Sequence, residues 1–374
     1  MNKAITNIGT TKRNPSYFWG SMKFKDILYK ITHWQTWHHH AKYIPITPVW
    51  IWYCIRSGTP WFFTSSNPTL TFGGFEGEGK KEMYDQLPPG SYPHTIYINP
   101  SICFEEAEKQ VAAAGFSYPF IVKPNVGMMG FMFRKITNAQ QLKLYHDTIP
   151  IEYLVQEMIN YPVEIGAFYY RMPNQAKGTV SGLLKKEPPY ITGTGSCTVE
   201  DLIIQHNGIR FKKEAIIARH EKRLKEILPA GEIYLLSYAS NRNQGGNLIG
   251  IDDEINDAMM QIFDGLSKYS GKFFYGRYDI KCSSVADFKK GKNFSILEFN
   301  GAGAGTQHIY ANPYSLWQAC AIILHHWKML FLISRYNKEQ GIKMWGIVQG
   351  WRHLKAAKKN LMMLKKMDAE FPSF

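Results

Sequence analysis

The sequence predicts a mixed α/β fold with largely antiparallel sheets, and three observations carry that expectation. From about residue 95, short apolar runs of strand length alternate with stretches of helical spacing. The strand runs around 152–159, 163–171 and 178–185 follow one another with no helix between them, which points to antiparallel neighbours. The chain has 374 residues, 45% hydrophobic and 20% charged, so a sizeable core forms and wholesale disorder is excluded. At about 100–200 residues per domain, this length implies two or three domains or one large composite one. No internal repeat is visible.

In chain order, residues 1–60 are basic and aromatic, with His38, His39 and His40 in a row. No partners at fixed spacing accompany these histidines, so they read as an exposed helix end rather than a metal site. Residues 72–93 are rich in Gly and Pro and read as a linker with a short helix over 80–87. Residues 104–114 predict a helix and 119–123 a strand, followed by the loop 124–130 and a strand over 131–136. Thr137 is the expected N-cap of a helix over 139–148. After the three successive strands, a Gly/Thr/Ser loop at 192–196 leads to a helix near Thr198 and a second over 212–227. A strand over 233–239, a helix over 252–270, strands over 273–282 and 294–300, and helices over 314–336 and 342–367 complete the chain.

Charge is uneven. Lys and Arg number 44 against 30 Asp and Glu, a net charge of +14 that invites a polyanion partner. Residues 1–56 hold eight basic side chains and one acidic, residues 343–374 seven and two, and the middle 29 and 27. A nearly neutral body excludes nucleic acid as the partner. The five cysteines are scattered with no CxxC pair, which fits a reducing, cytoplasmic setting. The N-terminus lacks an apolar run of signal-peptide length. The apolar run Ile44–Ile55 contains two prolines and is shorter than the roughly 20 residues of a membrane span. His325, His326 and Lys328 interrupt Leu316–Ile333, which reads as a buried helix.

Three stretches carry chemistry. Residues two apart on a strand share a face. Arg277 and Asp279 therefore share one face, as do Glu298 and Asn300. If the two strands pair in suitable register, Asp279, Glu298 and Asn300 offer oxygens of the kind Mg²⁺ takes, with Arg277 beside them. Otherwise they are polar residues on a solvated face. The stretch Phe120–Gly130 runs from an apolar strand through Lys123 into a loop holding Gly127 and Gly130. Backbone amides there can approach phosphate closely, but the GxxxxGK[ST] spacing of a P-loop is absent. The stretch Tyr153–Glu164 joins two strands through Gln156, Glu157, Met158 and Ile159; it reads either as an adenine-binding connector or as an ordinary hairpin.

In this order the three stretches resemble the ATP-grasp superfamily, in particular its carboxylate–amine ligases such as D-alanine–D-alanine ligase and the ATP-grasp part of cyanophycin synthetase. The resemblance covers about residues 75–315. It implies an ATP-grasp fold, two α/β subdomains clasping ATP between antiparallel sheets, with a short N-terminal segment (1–72), a grasp domain (73–315, small subdomain about 115–160) and C-terminal helices (316–374). It implies that Lys80, rather than Lys81, and Lys123 bind phosphate with Gly127 and Gly130. Gln156, Glu157, Met158 and Ile159 would face adenine and Glu164 the ribose, while Asp279, Glu298 and Asn300 would ligate Mg²⁺. Arg277 and Lys185 are the implied catalytic residues. Two looser matches are Gly193–Leu202, similar to a G-x-G-x-x-T-x-x-x-L loop, and Asn243-Gln-Gly245-Gly246. Residues 1–70 depart from the usual N-terminal α/β domain, being short and proline-rich.

The implied reaction joins a carboxylate to an amine through an acyl phosphate, with ADP and phosphate released. A small-molecule kinase and a membrane-associated ATP-binding scaffold are the competing readings. Helical spacing over 342–367 puts Met344, Ile347, Val348, Trp351, Leu354, Leu361 and Leu364 along one stripe, with seven Lys and Arg over much of the rest. That helix either lies on an anionic inner membrane face or packs on the protein's own core with its lysines solvated.

Overall fold

In the computed structural model the chain is described over residues 24–372, except 39, 210, 211, 238, 239, 241, 243 and 244. His39, Asn243 and most of the basic N-terminal tail thus lie outside the described residues. The strands are β1 (Thr95–Ile98), β2 (Phe120–Pro124), β3 (Arg134–Ile136), β4 (Tyr153–Gln156), β5 (Val163–Tyr170), β6 (Thr179–Glu187), β7 (Tyr190–Thr192), β8 (Ile233–Leu235), β9 (Asn247–Gly250), β10 (Tyr275–Cys282) and β11 (Phe294–Asn300). The helices are α1 (Phe24–Thr32), α2 (Thr47–Ser57), α3 (Lys80–Tyr84), α4 (Phe104–Ala113), α5 (Ala139–Thr148), α6 (Val199–Gln205), α7 (Lys213–Arg219), α8 (Asp257–Tyr269), α9 (Val285–Lys289), α10 (Leu316–Glu339) and α11 (Ile347–Glu370).

Among the described residues every strand pairing is antiparallel. One sheet has the order β1-β4-β2-β3, a second β11-β10-β5-β6-β9, and β7 and β8 form a small third. The five-stranded sheet packs Ile165, Leu183, Tyr278 and Ile280 against Met259 and Phe263 of α8. The four-stranded sheet packs Val122 and Val155 against Ala107 of α4 and Leu142 of α5. Its extent exceeds the expected 115–160, because β1 and α4, earlier in the chain, join it through the long-range pairing of Thr95–Ile98 with β4.

Local differences from the sequence expectation have physical causes. Asn138, not Thr137, caps α5, accepting from the Gln141 amide, while Gln141 Oε1 accepts in return from the Thr137 amide at 2.8 Å. The strand expected over 131–136 shortens to β3 because Met132 is held at φ 58°, with its amide donating to Asp368 Oδ1 at 2.9 Å. The helix expected from 252 starts at Asp257 instead, because Asp252 accepts from the Leu183 amide and Asn256 takes the cap. All five cysteines are free.

The N-terminal segment is built into the fold. Trp61, Phe62, Phe63 and Phe72 are buried in a cluster with Phe168, Tyr275 and Leu330. Asn67 is fully buried; its amide donates to the Gly73 and Tyr275 carbonyls, and its oxygen accepts from the Phe274 and Tyr275 amides. It therefore pins the start of β10. α10 is long and apolar enough to cross a membrane by length and composition. Its Ala319, Cys320, Ile323, Leu330 and Ile333 are buried against this segment and its neighbours.

α11 straps the two larger sheets together. At its start Trp351 meets Trp61 edge-on at 5.4 Å, beside Trp345. Towards its end Leu364 and Phe371 enter the core of the four-stranded sheet, and Asp368 pairs with Arg134 at 2.8 Å. Leu354 and Leu364 of its apolar stripe thus face the protein, Ile347 and Val348 at its start are exposed, and Arg352, Lys355, Lys359 and Lys366 face solvent. Leu364→Ala should remove roughly 2–5 kcal/mol of stability. Chemical denaturation will show it as a lower midpoint at unchanged slope.

Candidate active site

The register of β10 and β11 sets the centre of the site. Arg277 lies opposite Asn300 and Asp279 opposite Glu298, so all four share one face. Arg277 grips Asp279 with two hydrogen bonds, Nε to Oδ1 and Nη2 to Oδ2, each 2.9 Å. Arg277 Nη1 donates to the Gly305 carbonyl at 3.2 Å. Asn300 Nδ2 reaches Asp279 Oδ2 at 3.4 Å.

β5 and β6 extend this set, with Glu164 opposite Lys186. The Lys186 ammonium sits 3.1 Å from Glu164 and 3.0 Å from Asp279. A chain of alternating charge, Glu164–Lys186–Asp279–Arg277, therefore crosses three strands. Burial by itself would raise the Asp279 carboxyl, but the flanking Arg277 and Lys186 hold it well below the usual range. Burial likewise disfavours charge on Lys186, yet Asp279 and Glu164 raise it above the ordinary lysine value.

Lys185, the expected catalytic lysine, is not in this cluster. It lies opposite Ile165 on the other face of β6 and pairs with Glu187 at 2.8 Å. Lys186 takes the place beside Asp279. The run Leu183-Leu184-Lys185-Lys186 has no alternation by which a strand face can be assigned, so the sequence did not distinguish the two.

A cleft opens beside Glu298 and Asn300, lined also by Glu78, Lys80, Gly127 and Leu361. α3 begins there because Asn125 holds its first turn: the Lys80 amide donates to the Asn125 carbonyl, and the Lys81 amide to Asn125 Oδ1. Lys80 Nζ donates to the Gly127 carbonyl at 3.0 Å and lies 3.8 Å from Glu298. Lys81 instead points over the Tyr97 ring. Lys123 on β2 is the second cation. Burial, with the Lys80 ammonium nearby, pushes its amine down to about 7, partly opposed by Glu298. Gly130 takes φ +77° in the same loop, with open space where a Cβ would stand.

The 156–159 connector divides its groups. Gln156 is occupied by the fold: its amide donates to Tyr84 Oη at 3.0 Å and Thr95 Oγ1 at 2.8 Å. Glu157 closes on His94, donating through its amide at 3.1 Å and accepting through Oε1 at 2.9 Å. The Ile159 carbonyl accepts from Lys281 at 3.2 Å. Met158 between them keeps its backbone groups without a protein partner among the described residues.

Two cleft residues escaped sequence reasoning. Glu78 is pushed up to about 7 by burial, with Glu298 adding to the rise, and its Oε2 is buried without a partner. Asn360 of α11 donates to the Val126 carbonyl at 3.1 Å and so braces the glycine loop. Neither position belongs to a motif, since long-range packing creates both.

The donor set fits Mg²⁺ in one way. Mg²⁺ is commonly bound by one or two carboxylates plus substrate phosphates and water. Glu298 and Asn300 present oxygens on one face, whereas both Asp279 oxygens are already taken by Arg277. No cluster of three His, Cys, Asp or Glu forms among the described residues. The site therefore suits a cation that arrives with phosphate oxygens rather than one caged by protein alone.

No family model matches the sequence, and no curated protein does. Solved structures do match. The chain is similar in fold to ATP-grasp ligases. A bifunctional glutathione synthetase from Pasteurella multocida is 17% identical over 67% of this chain and 35% of its own, with a TM-score of 0.39. D-alanine–D-alanine ligase from Bacillus anthracis is 13% identical over 70% of this chain and 68% of its own, with a TM-score of 0.38. The ATP-grasp ligase PsnB, complexed with a minimal precursor, is 15% identical over 66% and 59%, with a TM-score of 0.35. The chain thus spans about a third of the length of the glutathione synthetase. What the site does chemically rests on its own residues.

The lowered Lys123 value has a consequence for stability. Between about 7 and the ordinary lysine value of 10.5, the folded chain binds fewer protons than the unfolded one. Its contribution to stability therefore rises with pH across that window and falls on acidification towards pH 7. Denaturation midpoints at pH 7 and pH 10 should show this gain in the wild type and a smaller one in Lys123→Met.

Proposed function

We propose that the protein is an ATP-dependent ligase that joins a carboxylate to an amine. One observation carries the reading: Lys80 lines a cleft with Glu298 and Asn300, Lys123 feels the charges of Lys80 and Glu298, and Arg277 stands opposite Asn300, held by a buried ion chain. Lys80 and Lys123 would bind the phosphates with the Gly127 loop, and Met158 would meet the adenine edge. Glu164, paired with Lys186, would take the ribose hydroxyls.

In the first step a substrate carboxylate oxygen attacks the γ-phosphorus, the bond to the β–γ bridging oxygen breaks, and ADP leaves. In the second, the amine nitrogen attacks the acyl carbon and the C–O bond to phosphate breaks. An amide and free phosphate result, and the surplus proton passes to phosphate or solvent. Glu298 and Asn300 would hold Mg²⁺, which neutralises phosphate charge when bound. Arg277 stabilises the charge that develops on the transferred phosphoryl group and the acyl oxygen. Because Asp279 and the Gly305 carbonyl fix its guanidinium in advance, little reorganisation is needed at the moment of reaction.

Glu298→Ala should lower ADP formation by about 10²–10³-fold with the fold retained. Lys186→Ala should lower activity far more than Lys185→Ala, since only Lys186 touches Asp279. Coupled assay of ADP release with circular dichroism tests both, and normal turnover of Glu298→Ala would falsify the site assignment. ADP release that needs no amine acceptor would mark a kinase instead.

We further propose that one surface touches an anionic membrane. Ile347, Val348 and Trp351 are exposed at the start of α11, and Trp52 and Ile55 on α2. The Thr59 hydroxyl donates to the Trp345 carbonyl and Lys338 to the Ser57 carbonyl, which joins these elements. Arg56 and Arg352 stand within the two groups. Apolar side chains among basic ones suit an anionic lipid interface. Co-sedimentation with anionic vesicles should be strong at low salt, weaken at high salt, and drop several-fold in Val348→Glu. No co-sedimentation at low salt rules the contact out.

A further inference from the structure

A second cavity adjoins the nucleotide cleft. Its volume is about 420 Å³, and Phe75 and Gly303 line both spaces. Aromatic side chains make most of its wall: Tyr43, Trp50, Phe75, Tyr275 and Trp327. These rings brace one another, with Trp50 edge-on to Trp327 at 5.0 Å and Tyr43 stacked on it at 5.8 Å. No Asp, Glu, Lys or Arg is among the described lining residues.

The floor is the stretch Ala302–Thr306, which follows Asn300 after Gly301. From behind that floor, Arg277 donates to the Gly305 carbonyl. The cavity lining therefore touches the proposed reaction centre at Gly305, whose carbonyl holds Arg277.

Of the polar residues in the lining, His40, Thr47, Thr306 and His326, the last is the most deeply buried. His326 is 1% exposed, its Nε2 lies 3.3 Å from Ser181 Oγ, and its Nδ1 is buried without a partner. Burial, with the neighbouring His308 and His325, keeps the imidazole neutral. A buried nitrogen with no partner is satisfied when a ligand supplies one.

We propose that this cavity receives the body of the ligase substrate, an uncharged aromatic group bearing one hydrogen-bonding atom that meets His326. The substrate's carboxylate then lies at the Gly305 end of the cavity, towards Arg277. The inference rests on the ligase reading above and deepens it, because it names the substrate class. Tyr43, Thr47 and Trp50 come from the N-terminal segment, which would therefore help to select the substrate.

Titration calorimetry on the full chain tests the proposal with two probe acids, 3-phenylpropanoate and 3-(4-hydroxyphenyl)propanoate, against succinate. Both aromatic acids should bind at least tenfold more tightly than succinate, and the hydroxyl should add several-fold. Thr47→Trp, which fills the exposed mouth, should weaken both aromatic acids at least tenfold while Mg·ATP affinity stays unchanged. His326→Phe should erase the gain from the hydroxyl alone. Succinate binding as tightly as the aromatic acids, or an indifferent Thr47→Trp, overturns the cavity assignment. A hydroxyl without effect, or a gain that survives His326→Phe, overturns the role of His326. Absence of Mg·ATP binding alongside intact aromatic binding would sink the ligase reading and leave the cavity standing, so the two failures are distinguishable.

Discussion

Two cations, Arg277 and Lys186, are buried in the middle of the five-stranded sheet, and Asp279 makes that possible. An uncompensated buried charge costs several kcal/mol, and removing one partner of a buried pair costs about 3–5 kcal/mol. Here the cost is met geometrically. Asp279 uses both oxygens on Arg277 and shares one with Lys186, and Lys186 passes its remaining attraction to Glu164. The strand order β11-β10-β5-β6 is what brings these four residues together, so sheet topology and site electrostatics are one constraint. Asp279 serves this network by staying ionised and enclosed, which leaves Glu298, 41% exposed on its side chain, as the carboxylate open to a ligand.

A second constraint positions the cleft against the cavity. The Ala302 amide donates to the Gly73 carbonyl and the Gly303 amide to the Gly74 carbonyl, both at 3.0 Å. The two backbones approach so closely that a Cβ on Gly303 would lie 2.1 Å from the Phe75 carbonyl oxygen. Glycine is therefore required for contact rather than flexibility. The contact sets the loop after Asn300 against the segment leading to Glu78 and Lys80, so that both halves of the cleft share one backbone seam.

Much of this was legible from the chain alone, where local pattern and final role coincide. Phe294–Asn300 reads as a strand and forms one over the same residues, because its alternation matches its burial. The common face of Arg277, Asp279, Glu298 and Asn300 follows from side-chain alternation plus one register, which the core pattern supplies. Three features were not legible, each for a tertiary reason. Lys186 is distinguished from Lys185 only by the pairing of β5 with β6. Gln156 looks like a ligand contact in sequence, but Tyr84 and Thr95 claim its amide. Glu78 acquires its raised value from burial between segments more than 200 residues apart.

The uneven charge takes on a structural meaning once α11 is placed. Its lysines face water because Leu354 packs on the Trp61 cluster and Leu364 enters the four-stranded core, which turns the opposite face outward. The helix also braces the glycine loop through Asn360 and lines the cleft with Leu361 and Leu364. Any movement that opens the four-stranded sheet away from β10 and β11 must therefore strain or shift this helix. The N-terminal segment meets the opposite side of the same region, walling the aromatic cavity with Tyr43 and Trp50. Two terminal parts of the chain, the described residues 40–50 and α11, thus line the cavity and the cleft, and the exposed lysines of α11 are what remains on its outer surface after that packing is made.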